Sequence, residues 1–228
     1  EVSANDGSVI STRDITELMG NSEYARVQYF CVDKDGNFYF SDGDSNIYVT
    51  DKELNKLFDI KVDNWINSMV TSKEGEVFAS SYGETGLELK KVDLTTKKLG
   101  DVVEGLGSGY GNRQYYTGNS KSLLVGNSDQ VSLFDVESGT LEDLYKWLDV
   151  DINSEDINYM GELSDGRIWA LTRSYSNSSE TRGSNNYELV TLNRKNASEV
   201  AEKKEIVYGA LWIDSGVKRN IIDFNKTN

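Results

Sequence analysis

Short apolar runs alternate with polar turns along most of this chain. Four segments share one pattern: Asp33-Lys-Asp-Gly-Asn-Phe-Tyr-Phe40, Ser72-Lys-Glu-Gly-Glu-Val-Phe-Ala79, Asn119-Ser-Lys-Ser-Leu-Leu-Val125 and Ser164-Asp-Gly-Arg-Ile-Trp-Ala170. Each is a polar tight turn followed by a three-residue apolar core. Aligning Gly36, Gly75, Lys121 and Gly166 gives separations of 39, 46 and 45 residues, the period of a four-stranded propeller blade. A second, alternating strand follows each copy: Ile47-Tyr-Val-Thr-Asp51, Leu89-Lys-Lys-Val-Asp93, Val131-Ser-Leu-Phe-Asp135 and Glu188-Leu-Val-Thr-Leu-Asn193. Strand pairs at this spacing, punctuated by Gly, Asn, Asp and Ser, read as successive hairpins.

The pattern predicts an all-β chain, a β-propeller of four-stranded antiparallel blades over residues 1–205. In the second blade the strands fall at Ile66–Thr71, Val77–Ser80, Leu87–Asp93 and Gly100–Val103. Inner strands are buried on both faces and read nearly continuously apolar, as Val27-Gln-Tyr-Phe-Cys-Val32 does. Outer strands are edges and read more polar, as Leu54–Ile60 does. A β-sandwich with chance similarity between hairpins competes with this reading, but four copies keep register in both hairpins. Ser174–Asn186 is a Ser/Asn/Gly-rich insertion that reads as a solvated loop. Leu141–Leu148 fits either a short helix or an irregular outer strand. Val9–Met19 looks like an outer strand left from an earlier blade. The ring is then four-bladed, five-bladed with a shared blade, or an open arc.

After Ala201-Glu-Lys-Lys-Glu205 the pattern changes. Ile206-Val-Tyr-Gly-Ala-Leu-Trp212 is long enough for one strand, and Val217, Ile221 and Phe224 then lie at helical spacing, with Asp214 or Ser215 as N-cap. A strand followed by a helix is the opening of an α/β domain, so residues 206–228 form a βα stub of a domain otherwise not present here. Lys204-Glu-Ile-Val-Tyr-Gly-Ala-Leu-Trp212 and Val217-Lys-Arg-Asn-Ile-Ile-Asp-Phe-Asn-Lys-Thr-Asn228 resemble the first strand and helix of family 1 extracellular solute-binding proteins, the receptors of ABC importers, mostly for sugars. Lys146-Trp-Leu-Asp-Val-Asp-Ile152, with Leu163-Ser-Asp-Gly-Arg-Ile168, is similar to the propeller region that some Gram-positive gut bacteria place ahead of such a receptor. The resemblance implies a non-catalytic binding or scaffold propeller in a secreted, cell-surface lipoprotein. Its partners would be an ABC permease and a sugar or oligosaccharide held by the other domain, and its lipid anchor would lie outside this chain. A stand-alone cell-surface propeller that binds a protein or glycan is the alternative.

Composition narrows the chemistry. The chain of 228 residues carries 13 Tyr, 7 Phe and 4 Trp, enough for a real core, and a formal net charge of −14. That charge repels phosphate backbones and anionic membranes, so nucleic acid is excluded as a partner. Histidine is absent, which removes the commonest general base and the commonest transition-metal ligand. This argues against a propeller hydrolase or lyase. Proline is absent too, so turns rely on Gly, Asn, Asp and Ser. The single cysteine, Cys31, sits in an apolar run and reads as a small core residue. No stretch approaches the roughly 20 apolar residues of a membrane span.

Several segments invite a functional reading. Asp33-Lys-Asp-Gly-Asn37 has the acids of a calcium loop, but its Gly falls at position four and its twelfth residue is Asp44, so a hairpin turn is favoured. Asp42-Gly-Asp-Ser-Asn46 is likewise a turn. Gly105-Leu-Gly-Ser-Gly-Tyr-Gly111 lacks the helix and lysine of a phosphate loop and instead leads into the third blade. Such inter-blade loops face the axial mouth, where propellers bind ligands. The candidate ligand-binding set is therefore Tyr110, Arg113 and Trp65, with aromatic rings suited to stacking on sugars. Trp169 sits at the position of Phe78 and Leu124 and reads as core. The acid pair Glu155/Asp156 would need to span a cleft, with one pKa raised, to cleave glycosides. No catalytic residue, metal site or cofactor is expected.

Overall fold

The computed structural model describes residues 2–10, 12–19, 26–42, 44–84, 86–107, 113–176, 184–193, 195 and 213–227, with backbone alone at 174–176 and 184. Fifteen strands and one helix are described, and the strands form four antiparallel sheets, each a blade. Blade I holds β1 (Tyr29–Val32), β2 (Phe38–Ser41), β3 (Asn46–Thr50) and β4 (Lys56–Lys61). Blade II holds β5 (Ile66–Thr71), β6 (Val77–Gly83), β7 (Gly86–Asp93) and β8 (Lys98–Val102). Blade III holds β9 (Gln114–Thr117), β10 (Leu123–Gly126), β11 (Gln130–Asp135) and β12 (Thr140–Lys146). Blade IV shows three described strands, β13 (Ile157–Glu162), β14 (Ile168–Ser176) and β15 (Ser184–Leu192). Within every blade the strands follow chain order, the topology of a propeller. Inner strands are neighbours in the series β1, β5, β9, β13.

The core lies between blades. One cluster joins Cys31, Tyr39, Ile47 and Val49 of blade I to Met69, Val77 and Ala79 of blade II. A second joins Phe78, Leu87 and Leu89 to Tyr115, Leu123 and Val125. A third joins Leu124, Val131 and Leu133 to Met160, Ile168 and Ala170. The second strands β6 and β10 are buried on both faces, and β10 at every residue. The outer strands β4, β8 and β12 are mostly exposed.

The turns between inner and second strands explain the repeat. Asp33 Oδ1 accepts from the backbone N–H of Asp35 and Asn37 at 2.9 Å each. Its Oδ2 accepts from Asn37 Nδ2 at 2.9 Å and Tyr39 Oη at 2.8 Å. The carboxylate is consumed by its own turn, as the hairpin reading requires. Gly36, Gly75 and Gly166 all have left-handed φ, between 78° and 84°, which glycine alone adopts without penalty. At Gly75 a Cβ would also stand 2.4 Å from Lys34 Cβ of the neighbouring blade. Blade III departs from the rule. Lys121 is not left-handed; the turn keeps the outer bond of the other blades, Gly118 N donating to Ser122 O at 3.3 Å, but lacks the inner one that Gly36, Gly75 and Gly166 donate to Asp33, Ser72 and Leu163.

Three expectations are corrected, and for Leu141–Leu148 one of the two alternatives is decided. The described residues of 9–19 form no strand: Val9 makes an isolated bridge with Val2, and Glu17–Met19 lie in a turn. Ser174–Asn186 is not simply a loop, because Ser174, Tyr175 and Ser176 pair with Asn186, Asn185 and Ser184, extending a long β14–β15 hairpin. Leu141–Leu148 is resolved as strand β12 and then a 3-10 turn at Trp147–Val150, since a register shift lets the alternation break without leaving the sheet. The β6–β7 hairpin is longer than Val77–Ser80 and Leu87–Asp93.

The C-terminal helix, α1 (Ser215–Thr227), is capped by Asp214, whose Oδ1 accepts from Val217 N at 2.8 Å. It lies on the link between blades III and IV. Lys218 is buried and donates to Ser128 O and Ser154 Oγ at 3.2 and 3.3 Å. Arg219 pairs with Asp156 at 2.9 Å, and Asn225 donates to Asp151 at 2.8 Å. The expected strand Ile206–Trp212 and the 205/206 boundary fall outside the described residues. Among the described residues, no helix is long and apolar enough to cross a membrane.

Candidate functional site

Each blade has two ends. Inner strands finish at the Asp-Gly turns, and the opposite end carries the loops that pass from blade to blade. The loop end of blade II gathers exposed aromatic and polar side chains. Ile66 pairs with Ser81 across β5 and β6, so Trp65 and Tyr82 stand at the same end of the sheet. Trp65 is 74% exposed and Tyr82 39%. Exposed indole is unusual, because burying it elsewhere would release a large apolar area.

Beside them a groove of about 850 Å³ is lined by Lys61, Asp63, Asn64, Tyr82, Glu88 and Lys90, among others. Asn64 Nδ2 donates to Tyr82 O at 2.7 Å and so fixes the Asp63–Trp65 loop to β6. Lys90 pairs with Glu88 at 2.9 Å. A Cβ on Gly83 would fall 2.0 Å from the Glu88 carboxylate carbon. That glycine therefore leaves the space in which the carboxylate sits. An aromatic face, a planar amide and paired charges on rigid strands can stack on and hydrogen-bond a polyhydroxylated ring.

The structure separates the expected set. Trp65 stands at this end of blade II, beside the groove but not lining it. Arg113 is half-buried in the loop ahead of β9, where Nη1 donates to Gly107 O at 3.0 Å. Burial pushes the Tyr115 phenol up, with the Arg113 guanidinium opposing, so Arg113 serves the packing of its own loop. Tyr110 lies outside the described residues. Among the described residues, no hydrogen bond or ion pair joins Arg113 to Trp65. Asn64, Tyr82, Glu88 and Lys90 were not singled out from sequence, because Tyr82 and Gly83 read there as turn rather than strand.

Other candidates resolve into structure. Asp156 of the Glu155/Asp156 pair is engaged by Arg219. Trp147 is buried, and its Nε1 donates to Asn127 O at 2.8 Å. Trp169 is half-buried rather than core. Its indole covers Gly161, on the face of blade IV turned away from blade III. Among the described residues no cluster of three or more metal-ligating side chains occurs.

No family model matches the chain, and no curated protein matches it. Among solved structures it is similar to virginiamycin B lyase from Staphylococcus aureus, with 8% identity, a TM-score of 0.47 and coverage of 76% of this chain and 58% of that one. It is similar to the Dos1 propeller at 12% identity and a TM-score of 0.43, over 83% and 64% of the two chains. For dihydro-heme d1 dehydrogenase NirN the identity is 16% and the TM-score 0.46, over 68% and 34%. The chain spans less than two thirds of each of these proteins.

Proposed function

We propose that this chain is a non-catalytic binding and scaffold propeller of a secreted, lipid-anchored receptor serving an ABC importer, and that it contacts oligosaccharide through the loop end of blade II. The observation that carries the binding role is the exposed Trp65 and Tyr82 beside the Asn64–Glu88–Lys90 groove. The importer role rests on the resemblance of the C-terminal segment to the first strand and helix of a solute-binding domain. The described helix is consistent with it, since α1 is seated on the propeller by buried Lys218 and the Arg219–Asp156 pair. A scaffold would need such a fixed joint.

A non-catalytic reading is supported by the acids. Among the described residues, every carboxylate whose pKa is displaced, including Asp33, Asp51, Asp93, Asp135, Glu162 and Asp165, is displaced downward. A general acid for glycoside cleavage requires the opposite.

Calorimetric titration against a panel of oligosaccharides tests the proposal. Binding is expected for the wild-type chain, with affinity falling at least about tenfold in Trp65→Ala, the scale of one lost stacking contact. Absence of heat for every oligosaccharide, or undiminished binding by Trp65→Ala, would contradict it. Recovery of a stable protein partner without any sugar effect would favour the stand-alone surface propeller.

A further inference from the structure

Blade I has two dissimilar faces. Side chains alternate along β2, so Tyr39 joins the cluster shared with blade II while Phe38 and Phe40 lie on the opposite face. Phe30 stands directly across from Phe40 on β1, and three phenyl rings therefore meet on one surface. Their centroids are 5.3 to 6.1 Å apart and their planes are inclined by 28° to 39°. Phe40 is 6% exposed and Phe30 51%. The rings form a floor that is covered on one side and open on the other.

The segment ahead of β1 supplies one wall. Arg13 and Ile15 line, together with the three rings, a cavity of about 830 Å³, a size suited to a small organic ligand. The segment is fixed by its own turn. Asp14 Oδ1 accepts from Thr16 N and Thr16 Oγ1 at 2.9 and 2.6 Å, and Met19 N donates to Ile15 O and Thr16 O at 3.2 Å. Met19 is buried. The Asp14 carboxylate is thus taken by Thr16 and not by the neighbouring guanidinium. Among the described residues no carboxylate pairs with Arg13.

The turn between β3 and β4 supplies the other wall, through Lys52, Glu53 and Leu54. Lys52 and Glu53 are 3.7 Å apart and offset one another. Arg13 then leaves the rim with one positive charge in excess, in a chain whose net charge is −14. Leu54 has a left-handed φ of 66°. The outer turns of blades II and III place Lys97 and Gly139 in that conformation, at 53° and 64°. A bulky apolar side chain is disfavoured there, and Leu54 is the only one of the three that carries one. A strained residue set into a cavity wall points to a role for what it contacts.

We propose that this cavity binds a small amphipathic anion, a flat aromatic body bearing one acid group. The body would lie on the phenyl floor between Ile15 and Leu54, in the offset arrangement that aromatic rings prefer. The acid would meet the unpaired Arg13 guanidinium. A floor without hydrogen-bonding groups does not suit a polyhydroxylated ring. The cavity lies on the face of blade I turned away from blade II, so it is separate from the oligosaccharide groove and stands independently of it.

Fluorescence titration of the intact chain with anilinonaphthalenesulfonate, an aromatic anion, tests the site. Saturable binding of one dye per chain is expected. Phe30→Ser replaces a half-exposed ring, so the far-ultraviolet spectrum should be unchanged while dye affinity falls about tenfold. Arg13→Gln should weaken the sulfonate about threefold or more and leave the uncharged phenylnaphthylamine unaffected. Leu54→Gly relieves the backbone while opening the wall. Its melting midpoint should be held or raised, and its dye affinity should fall about threefold. A wild-type chain without saturable one-to-one binding, or binding indifferent to Phe30→Ser, overturns the site. Equal losses of both dyes in Arg13→Gln overturn the anionic ligand. A Leu54→Gly variant that melts lower yet binds as wild type does overturns the role given to the strained turn.

Discussion

The two ends of the blades use similar residues for opposite ends. At the turn end, acids and amides are spent on the fold. Asp33, Asp51, Asp93, Asp135 and Asp165 each accept a backbone N–H within their own turn. Neighbouring turns are tied to one another by backbone bonds. At the loop end of blade II, Asp63 is exposed and Trp65 projects into solvent, while among the described residues Glu88 pairs with Lys90 beside an open groove. Acid density alone therefore says little about a site in so acidic a chain. What separates structure from recognition is whether local backbone donors have already taken the carboxylate.

The comparison breaks most readily at Asp33. Asp33→Ala leaves two backbone N–H groups, the Asn37 amide and the Tyr39 hydroxyl without their acceptor. A loss of roughly 2 to 3 kcal/mol in unfolding free energy is expected, since Tyr39 is buried. Denaturant titration measures it. A change within about 0.5 kcal/mol, the size of an ordinary surface substitution, would remove Asp33 from the fold's supports.

A smaller effect is expected at Glu162, which links blades III and IV. Burial pushes this carboxyl up, but bonds from Ser120 and Asn119, and nearby Lys73, outweigh it and hold the pKa below its ordinary value. A folded pKa below the unfolded one contributes stability above the unfolded value, about 4.3. That contribution is lost as the pH falls through the folded value. Glu162→Gln should thus cost about 1 kcal/mol at neutral pH, and the gap from wild type should close as the pH drops below about 4. Relief of the −14 charge on acidification acts on both proteins alike, so the difference between them isolates Glu162. A gap that is constant with pH would assign the loss to packing.

The fold was largely legible because the Asp-Gly turn and its following apolar triplet recur wherever the backbone needs a left-handed residue. Blade III tested that rule: its turn lacks the left-handed glycine, yet Leu123–Val125 still marked the strand. The site was less legible. Trp65 was visible as an aromatic residue in a loop, but its neighbours were not, since Tyr82 reaches the same end only because β6 runs on to Gly83. Cross-strand pairing, rather than any local pattern, brings Tyr82 there. Arg113 looked equally suited to a ligand and proved to be bonded within its own loop. Trp169 occupies a core position in the repeat, and only the arrangement of blades shows that it sits on the face turned away from blade III.

Hydrogen exchange of the intact chain, with and without a bound oligosaccharide, tests the division of labour between the two ends most directly. Ligand should slow exchange at residues 61–66 and 81–90 of blade II and leave the turns at 33–37, 72–76 and 163–167 unchanged. Protection confined to those turns, or no protection in blade II at saturating ligand, would contradict the account.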